Sequence, residues 1–368
     1  MPKTEGYLYD LATDKQAGII AGLVKLLLLG LSFIYGLVVR LAILFYRIKP
    51  RKLGCSVISI GNIAVGGTGK TPVVEFIARR LRQQGRKVAI LSRGYKRTVS
   101  NYDMRVASYE SLVASYENMG DEPFMLKEKL GDMPVLVDPD RIRSAGAAVR
   151  DYGADIVLLD DGFQQWKIKK DLEIVTINAA NPFGNRHMLP RGILREPVSS
   201  LKRADIIMLT KTDLNPDIKS LTGYLRRINP TALIVETVYK LNGFCGITDT
   251  KGDFLKADSL KDEPVCLVCG IADPGSFESL IKGLGLKVGL FFKFPDHYCY
   301  TKEDLVKIIQ ESNAHNIRAI ITTEKDSVRL PAMDYEAIPM KFLAAVIEIK
   351  INNNEKEFNE RLSGIPRR

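Results

Sequence analysis

The chain has 368 residues, of which 46% are hydrophobic and 26% are charged, values typical of a globular protein with a sizeable core rather than of collagen, a coiled coil or extended disorder. At roughly 100–200 residues per domain, this length predicts two domains. The formal net charge of +10 favours an anionic partner, but it does not distinguish among nucleic acid, acidic lipid and a phosphorylated substrate.

An apolar segment near the N-terminus is the first predicted element. Residues 18–39 carry a single charged side chain, Lys25, and about 20 apolar residues are enough for a helix to cross the core of a bilayer. A basic flank follows, at Arg40, Arg47, Lys49, Arg51 and Lys52. We therefore expect residues 1–50 to form a membrane-associated helical region.

Three interpretations of this segment remain open: a helix in the plane of the membrane, a membrane span, and a buried helix of the core. Acidic residues before the segment, and the lack of a small-residue cleavage site after it, argue against a signal peptide. The in-plane helix is favoured, because Lys25 and Arg40 can extend their charged ends to the membrane surface.

A glycine-rich loop gives the strongest local signal. Residues 55–60 read as a β-strand, residues 61–72 contain GGTGKT, and a helical pattern follows as far as Gly85. This order is the context of a phosphate-binding P-loop, whose backbone N–H groups surround a phosphate. Ala64 departs from the usual pattern, which has glycine at that position. The predicted nucleotide-binding residues are Gly66, Gly67, Thr68, Gly69, Lys70 and Thr71.

A second apolar run, residues 156–159, ends in the carboxylates of Asp160 and Asp161. In P-loop proteins such a strand supplies an aspartate for Mg²⁺, together with the hydroxyl of the loop, which here is that of Thr71. Lys70 would contact the β- and γ-phosphates. We therefore predict ATP and Mg²⁺ as ligands, with both aspartates as metal ligands, directly or through water. The alternative is an ordinary strand that ends in a polar turn.

Basic residues are concentrated after the loop, since no acidic residue lies between positions 76 and 97. Either a solvated helix face or attraction to a substrate phosphate or to anionic lipid headgroups explains this concentration. Arg93, which follows the strand-like residues 88–91, is the best candidate for a contact with the substrate.

Alternating strand and helix patterns start again in the second half of the chain. Strand-like segments at 204–211, 265–269 and 319–323 predict a second parallel sheet covered by helices. The CxxC in the second of these segments is interpreted as part of a buried strand rather than as a metal site. Residues 210–213 read TKTD, which loosely resembles the base-reading TKxD of GTPases.

The sequence as a whole predicts an α/β fold, with a P-loop NTPase-type parallel sheet and a second, smaller α/β/α domain. The five cysteines do not form an even framework of the secreted type, which favours a reducing compartment. The expected regions are a membrane-associated helix at 1–50, a P-loop nucleotide-binding domain at 51–178, a second α/β domain that closes the cleft at 179–345, and a C-terminal strand and polar tail at 346–368.

Seven segments together resemble one protein family. They are GNIAVGGTGKTP (61–72), LSRGY (91–95), GDEP (120–123), LLDDGFQ (158–164), LPRGILREP (189–197), FPDHY (294–298) and TTEKDSVRL (322–330). In this order they resemble tetraacyldisaccharide 4′-kinase, the lipid A 4′-kinase, over about residues 17–350. The P-loop is shared with other families, whereas DDGFQ, LREP and FPDHY together are far more specific.

The resemblance implies transfer of the γ-phosphate of ATP to the 4′-hydroxyl of an acylated glucosamine disaccharide 1-phosphate, which gives lipid IVA in lipopolysaccharide biosynthesis. It implies two α/β/α domains joined by a two-stranded linker, with the active site in the cleft between them. It also implies a peripheral or monotopic protein on the cytoplasmic face of the inner membrane. Nucleic acid is not an expected partner, and nothing in the sequence indicates an oligomeric state.

The resemblance also implies roles for individual residues. Asp121 matches the proposed general base and His297 matches the residue paired with it, and we expect closure of the two domains to bring these distant positions together. Arg195 matches a catalytic arginine and Glu196 its neighbour in the substrate site, while Glu122 is a further candidate metal ligand. The alternatives are a helix N-cap for Asp121, a loop histidine for His297 and a surface ion pair for Arg195.

Two positions depart from the family pattern. Gln165 stands where many members have histidine after DDGFQ, and Arg191 stands where many have a small residue.

Two other functions are compatible with a P-loop in a basic chain. A nucleotide switch or a transport ATPase would hydrolyse ATP without an acceptor lipid. A nucleic-acid-binding protein would bind DNA or RNA in a salt-sensitive manner. The sequence contains no nucleic-acid recognition motif, and the apolar segment 18–39 argues against the last function.

Overall fold

The computed structural model describes residues 10–94, 119–247 and 254–368. Contacts divide the chain into two compact units. Within the described residues, the first unit comprises 10–94, 126–239 and 349–368, and the second comprises 119–125, 240–247 and 254–348.

The first unit contains a parallel sheet with the P-loop strand inside it. Its strands are β1 (Ser56–Gly61), β2 (Val88–Ser92), β3 (Val135–Val137), β4 (Ile156–Asp160), β5 (Leu172–Asn178), β6 (Ile206–Thr210) and the first part of β7 (Leu233–Gly246). They lie in the order β3-β2-β4-β1-β5-β6-β7, with parallel pairing throughout. Every residue of β1 is buried, as expected for a strand with neighbours on both sides and helices on both faces.

The first unit also contains helices. They are α1 (Ile19–Arg47), α2 (Lys70–Gln83), the second half of α3 (Asp121–Leu130), α4 (Arg141–Tyr152), α5 (Ile218–Ile228) and α9 (Glu355–Ser363). Helix α2 begins directly after the glycine-rich loop and buries Val74, Ile77 and Leu81 against the sheet, so the predicted strand–loop–helix unit is confirmed.

The second unit contains the end of β7 and a set of strands that pair with one another in parallel. This set comprises β8 (Pro264–Cys269), β9 (Lys287–Lys293), β10 (Ala319–Thr323) and β11 (Lys341–Ile351), in the order β11-β10-β8-β9 after β7. Its helices are the first half of α3, α6 (Pro274–Gly283), α7 (Lys302–Ala314) and α8 (Glu324–Ser327). The CxxC lies in β8 with both thiols buried, which confirms the buried strand.

The division into units differs from the predicted boundary at residue 178. Strand β5 pairs in parallel with β6, from Ile174 beside Ile206 to Asn178 beside Thr210, so the first sheet continues well beyond that residue. The residues around Asp121 belong to the second unit rather than to the P-loop unit. Strands β7 and β11 each contribute residues to both units.

Helix α1 exposes an apolar surface along most of its 29 residues. Ile19, Leu26 and Phe33 are 86%, 67% and 72% exposed, and the helix is long and apolar enough to cross a membrane. The interpretation as a buried core helix is therefore wrong, because only a narrow stripe that includes Leu28 and Ser32 is covered.

Lys25 was expected to extend its charge to a membrane surface, and the structure shows a different partner. Its Nζ lies 2.8 Å from Oδ1 of Asp14 and donates a hydrogen bond to the carbonyl of Gln16. Lys25 therefore holds the preceding segment against α1.

Candidate active site

The phosphate loop has the backbone that a P-loop requires. Gly69 caps α2 in the left-handed conformation, with φ of 78°, and Gly66 has φ of 110°. Side chains other than glycine rarely adopt these angles, so both positions depend on the absence of a Cβ atom. The N-terminus of α2 then presents its N–H groups to the loop, which suits a phosphate.

Hydrogen bonds from the ends of three neighbouring strands hold the middle of the loop. The hydroxyl of Thr68 accepts a bond from Nδ2 of Asn62 at 2.8 Å and lies 3.1 Å from that of Thr176. The carbonyl of Thr68 accepts a bond from Oγ1 of Thr210 at 3.1 Å. The loop is thus fixed to the ends of β1, β5 and β6.

The local backbone explains why alanine can replace the usual glycine at position 64. It forms an antiparallel bridge with Leu194, and the next residue, Val65, donates from its N–H to the carbonyl of Ile193. The backbone at Ala64 is not among the positions with positive φ, so a Cβ atom causes no strain here.

Asp161 pairs with two cationic side chains at the end of the phosphate loop. Its carboxylate accepts two hydrogen bonds from Nη1 of Arg195, at 2.8 and 3.0 Å, and lies 3.6 Å from Nζ of Lys70. Burial raises the pKa of Asp161, but the charges of Lys70 and Arg195 outweigh this effect and hold the pKa below its usual value. The structure therefore brings together three of the predicted site residues.

Asp160 and Thr71 lie beside this cluster. Asp160 ends β4 next to Ile60 of β1, is buried, and accepts a hydrogen bond from Oγ of Ser92 at 3.0 Å. Thr71 is buried in the first turn of α2. Asp160 therefore stands at the carboxyl end of its strand, which is where open α/β sheets bind ligands, and Thr71 stands at the start of the helix that follows the loop.

Arg141, a buried cation near these carboxylates, was not predicted from the sequence. Its Nη1 donates to the carbonyl of Ser92 at 2.6 Å and also to the carbonyl of Asp138. Burial lowers the pKa of Arg141 to about 10, an effect that Asp160 opposes and that the charge of Arg93 reinforces. Arg93 itself is exposed directly after β2.

Asp121 and His297 form a direct pair within the second unit. Nδ1 of His297 lies 2.7 Å from Oδ2 of Asp121, and Nε of Arg329 lies 3.1 Å from the same oxygen. The expectation that closure of two domains would bring the pair together is therefore wrong, because both residues belong to one unit. Burial raises the pKa of Asp121, but His297 and Arg329 reverse the effect and lower it to about 2.

Lys325 determines which ring nitrogen of His297 carries the proton, and this role was not predicted from the sequence. Its Nζ lies 3.2 Å from Nε2 of His297. An ammonium group can only donate, and a carboxylate can only accept. Nε2 of His297 therefore accepts from Lys325, and Nδ1 carries the proton that is donated to Asp121. Lys325 lies in the segment TTEKDSVRL, so its position was available from the sequence but its partner was not.

Two predicted site residues have other partners in the structure. Oε1 of Glu122, a predicted metal ligand, lies 3.2 Å from Nζ of Lys325 in an ion pair. Glu196 is fully buried, and its carboxylate accepts bonds from Arg203, Gln164 and Trp166. The substrate contact predicted for Glu196 does not agree with this enclosure, and its role here is to hold the segment that follows Arg195.

Helix α1 contacts the segment that carries Arg195. The hydroxyl of Tyr35 donates to the carbonyl of Arg195 at 3.1 Å. Oγ of Ser32 donates to the carbonyl of Met188 at 2.8 Å and accepts from the N–H of Arg191 at 3.0 Å. The side chain of Arg191 pairs with Asp14 at 2.7 Å, which gives this departure from the family pattern a structural role.

Comparison with known proteins gives a consistent result. Residues 24–366 match the model of the family described as tetraacyldisaccharide-1-P 4′-kinase. The chain belongs to the tetraacyldisaccharide 4′-kinase family. It is 33% identical over 354 residues to the tetraacyldisaccharide 4′-kinase of Desulfatibacillum aliphaticivorans, with 94% of this chain and 93% of that protein covered. It is 34% identical over 345 residues to the enzyme of Halothermothrix orenii, with 90% of each covered.

A solved structure supports the same assignment. The crystal structure of LpxK from Aquifex aeolicus in complex with ATP is 28% identical, covers 92% of this chain and 98% of that one, and has a TM-score of 0.71. The predicted family, α/β fold and kinase class are thereby confirmed, as is ATP as the nucleotide of this family.

The lowered pKa of Asp121 makes a prediction about stability. An ionised Asp121 stabilises the folded state fully above its ordinary pKa of 3.8, and this contribution is lost as the pH falls through about 2. Asp121→Asn should therefore be less stable than the wild type by an amount that is largest above about pH 4 and narrows towards about pH 2. Urea unfolding followed by circular dichroism at several pH values measures this difference.

Asp262→Asn is the control for this experiment, because Asp262 is an exposed residue of the same unit. It should match the wild type at every pH. A stability deficit of Asp121→Asn that stays constant from neutral pH to about pH 2.5 would contradict the pKa assigned to Asp121.

Proposed function

We propose that this protein transfers the γ-phosphate of ATP to the 4′-hydroxyl of tetraacyldisaccharide 1-phosphate, which gives lipid IVA for lipid A. The observation that supports this most strongly is the cluster of Lys70, Asp161 and Arg195 at the end of the phosphate loop. A cation that can reach the terminal phosphates, a carboxylate and a second cation together meet the needs of phosphoryl transfer, in which positioning and charge stabilisation supply most of the catalysis.

Thr71, Asp160 and Asp161 are the residues that would hold Mg²⁺. Their oxygens suit this ion, which usually binds to one or two carboxylates together with phosphate oxygens. Asp160 ends, and Asp161 directly follows, a strand adjacent to the strand that leads into the loop, so the residues present fit the ion. When bound with ATP, Mg²⁺ neutralises the charge that develops on the phosphates. Glu122 is left out of this set, because it belongs to the second unit, whereas the other three residues belong to the unit that contains the phosphate loop.

Arg195 would stabilise the transferring phosphoryl group. Its guanidinium is held by Asp161 beside Lys70, and its carbonyl is held by Tyr35. An arginine fixed in this way can donate several hydrogen bonds to phosphate oxygens without first becoming ordered.

Asp121 would orient the acceptor hydroxyl, and His297 would hold the carboxylate in place. A carboxylate with a pKa of about 2 is a weak base. The transition state of phosphoryl transfer is loose, however, so the hydroxyl needs orientation more than early loss of its proton. Asp121 can accept a hydrogen bond from the hydroxyl throughout the reaction and receive the proton late.

The lipid substrate would be met at the cytoplasmic face of the inner membrane, to which the chain binds as a peripheral or monotopic protein. Helix α1 supports this proposal by exposing Leu23, Leu27, Ile34 and Leu41 on an apolar surface. The basic residues that follow α1 suit the anionic surface of the cytoplasmic leaflet. Arg93, exposed after β2, is the proposed contact for the head of the lipid substrate.

A phosphotransfer assay with the acylated disaccharide 1-phosphate tests the proposed function. Lys70→Ala removes the cation at the terminal phosphates, and Asp121→Asn removes the acceptor for the hydroxyl. Each should lower kcat/KM by about 100-fold or more. Lys219→Ala and Asp262→Asn, which change exposed residues of the first and second units, should keep the wild-type rate.

Full activity of Lys70→Ala or Asp121→Asn would contradict the assigned roles. Hydrolysis of ATP at the same rate with and without the lipid would instead indicate a nucleotide switch or a transport ATPase.

Vesicle flotation tests the membrane proposal. Leu27→Asp and Ile34→Asp place charges on exposed apolar positions of α1, at 66% and 63% exposure. Together they should greatly reduce binding to vesicles of anionic phospholipid, because charges are disfavoured in the acyl region. Val306→Asp, on the exposed surface of α7, should bind like the wild type. Unchanged flotation of the α1 double variant would show that α1 is not the membrane-binding element.

A further inference from the structure

Lys325 contacts the imidazole of His297 at the ring nitrogen that Asp121 does not contact. We propose that Lys325 is a positioning residue for phosphotransfer, and that its ammonium group keeps His297 neutral so that Asp121 stays an effective acceptor for the hydroxyl of the substrate. The proposal concerns the acceptor side of the same site and so rests on the proposed function.

His297 lies between two carboxylates. Its Nδ1 is 2.7 Å from Oδ2 of Asp121, and its Nε2 is 3.9 Å from Oδ2 of Asp296. Carboxylates close to both ring nitrogens favour an imidazole that carries a proton on each of them. Without a cation at Nε2, this environment would therefore convert His297 into an imidazolium ion.

Lys325 opposes this protonation. Its Nζ lies 3.2 Å from Nε2 of His297, 3.6 Å from Oδ1 of Asp296 and 3.2 Å from Oε1 of Glu122. An ammonium group donates and cannot accept, so it occupies the lone pair of Nε2. Its charge also balances that of Asp296 and repels a positive charge on the ring. The imidazole is thereby neutral and donates to Asp121 alone.

The backbone fixes both partners of this contact. His297 adopts φ of 60°, and its N–H donates to the carbonyl of Gly270 at 3.1 Å. Lys325 lies in the short helix α8, which Thr323 caps by accepting from the N–H of Asp326. The buried carboxylate of Asp326 in turn accepts from the N–H of Gly270 at 2.9 Å. His297 and Lys325 are thus carried by segments that bond to the same residue.

The charge balance around the ring explains what the loss of Lys325 would do. Within the described part of the chain, the charged groups that contact the ring or its partners come from α3, from the turn before α7, and from α8 with the turn after it. They are Asp121, Glu122, Asp296, Lys325 and Arg329. Three carboxylates and two cations leave one excess negative charge. Removal of Lys325 would leave two, and a proton on the imidazole would restore the original balance.

A charged imidazole would change how Asp121 acts. The imidazolium would hold the carboxylate more strongly than the neutral ring does, because a hydrogen bond between two charged groups is stronger than one with a neutral donor. Asp121 would then be a poorer acceptor for the hydroxyl of the substrate and for its proton. The effect should therefore fall on the rate of phosphotransfer rather than on the binding of ATP.

Histidine NMR measures the protonation of the ring directly. The chain has three histidines, so isotope-labelled histidine gives few signals, and the spectrum of His297→Gln identifies those of His297. At about pH 7 the wild type should carry hydrogen on Nδ1 alone. Lys325→Met should carry hydrogen on both ring nitrogens, whereas Lys325→Arg, which keeps a positive donor, should resemble the wild type.

The phosphotransfer assay measures the consequence for the reaction. At about pH 7, Lys325→Met should lower kcat about tenfold or more and leave KM for ATP within about threefold of the wild type. Its kcat should recover towards the wild-type value as rising pH removes the second proton from the imidazole. In a His297→Gln background, Lys325→Met should cost no more than about twofold, because Lys325 acts through the imidazole.

Lys302→Met is the matched control, because Lys302 is an exposed lysine of the same unit. It should match the wild type in every measurement. Lys325→Gln removes the charge but keeps an amide beside Glu122 and Asp296, and it decides the same question if Lys325→Met does not fold.

The outcomes separate this proposal from the proposed function. Hydrogen on Nδ1 alone in the folded variant without the charge, or a loss of kcat that stays constant as the pH rises, would overturn the role of Lys325 and leave the kinase activity standing. Hydrogen on both ring nitrogens of that variant, in a protein whose wild type does not phosphorylate the lipid, would support the control of protonation and contradict the kinase activity.

Discussion

The phosphate site depends on the ion pair between Asp161 and Arg195, which lies close to Lys70. Two cations a few ångströms apart repel each other, and the repulsion is strongest where water is partly excluded. An anion placed with them offsets that repulsion in the folded protein. The site can therefore keep two cations in place before a nucleotide arrives, and the phosphates of ATP can then share or take over the role of the carboxylate.

The segment from Met188 to Arg195 connects this charge cluster to the N-terminal helix α1. Ser32 and Tyr35, one turn apart on α1, hold the beginning and the end of that segment by its backbone. Arg195 thus has its side chain on Asp161 and its carbonyl on the helix that carries the exposed apolar surface. A helix that would bind the membrane and an arginine that would bind phosphate are fixed by the same short piece of chain.

Local sequence was sufficient to predict the elements whose chemistry is local. The P-loop at Lys70 was recognised because a short apolar run, a glycine-rich stretch and a helical pattern follow each other directly along the chain. The strand before Asp160 and Asp161 was recognised because a short apolar run leads into two carboxylates. The pairing of Asp121 with His297 came from the family resemblance, and it was correct although the expected domain closure was not.

The partners of charged side chains could not be predicted in the same way, because they depend on tertiary contacts between distant parts of the chain. Nothing near Lys325 in the sequence indicates that it contacts His297, and nothing near Glu196 indicates that Arg203 and two other side chains enclose it. Arg141 looked like one basic residue among many until the structure placed it, buried, near the aspartates of β4. Residue type and spacing predict which groups are available, whereas burial and contact decide which of them can meet a ligand.

A double-mutant cycle on Lys70 and Asp161 tests the central claim most directly. Lys70→Met, Asp161→Asn and the combined variant would be compared with the wild type by kcat/KM for phosphotransfer. If both residues act on the same phosphate group, kcat/KM of the combined variant should lie within about threefold of that of the slower single variant. Losses that simply multiply would show that the two side chains act independently, and would contradict a single charge cluster at the phosphate loop.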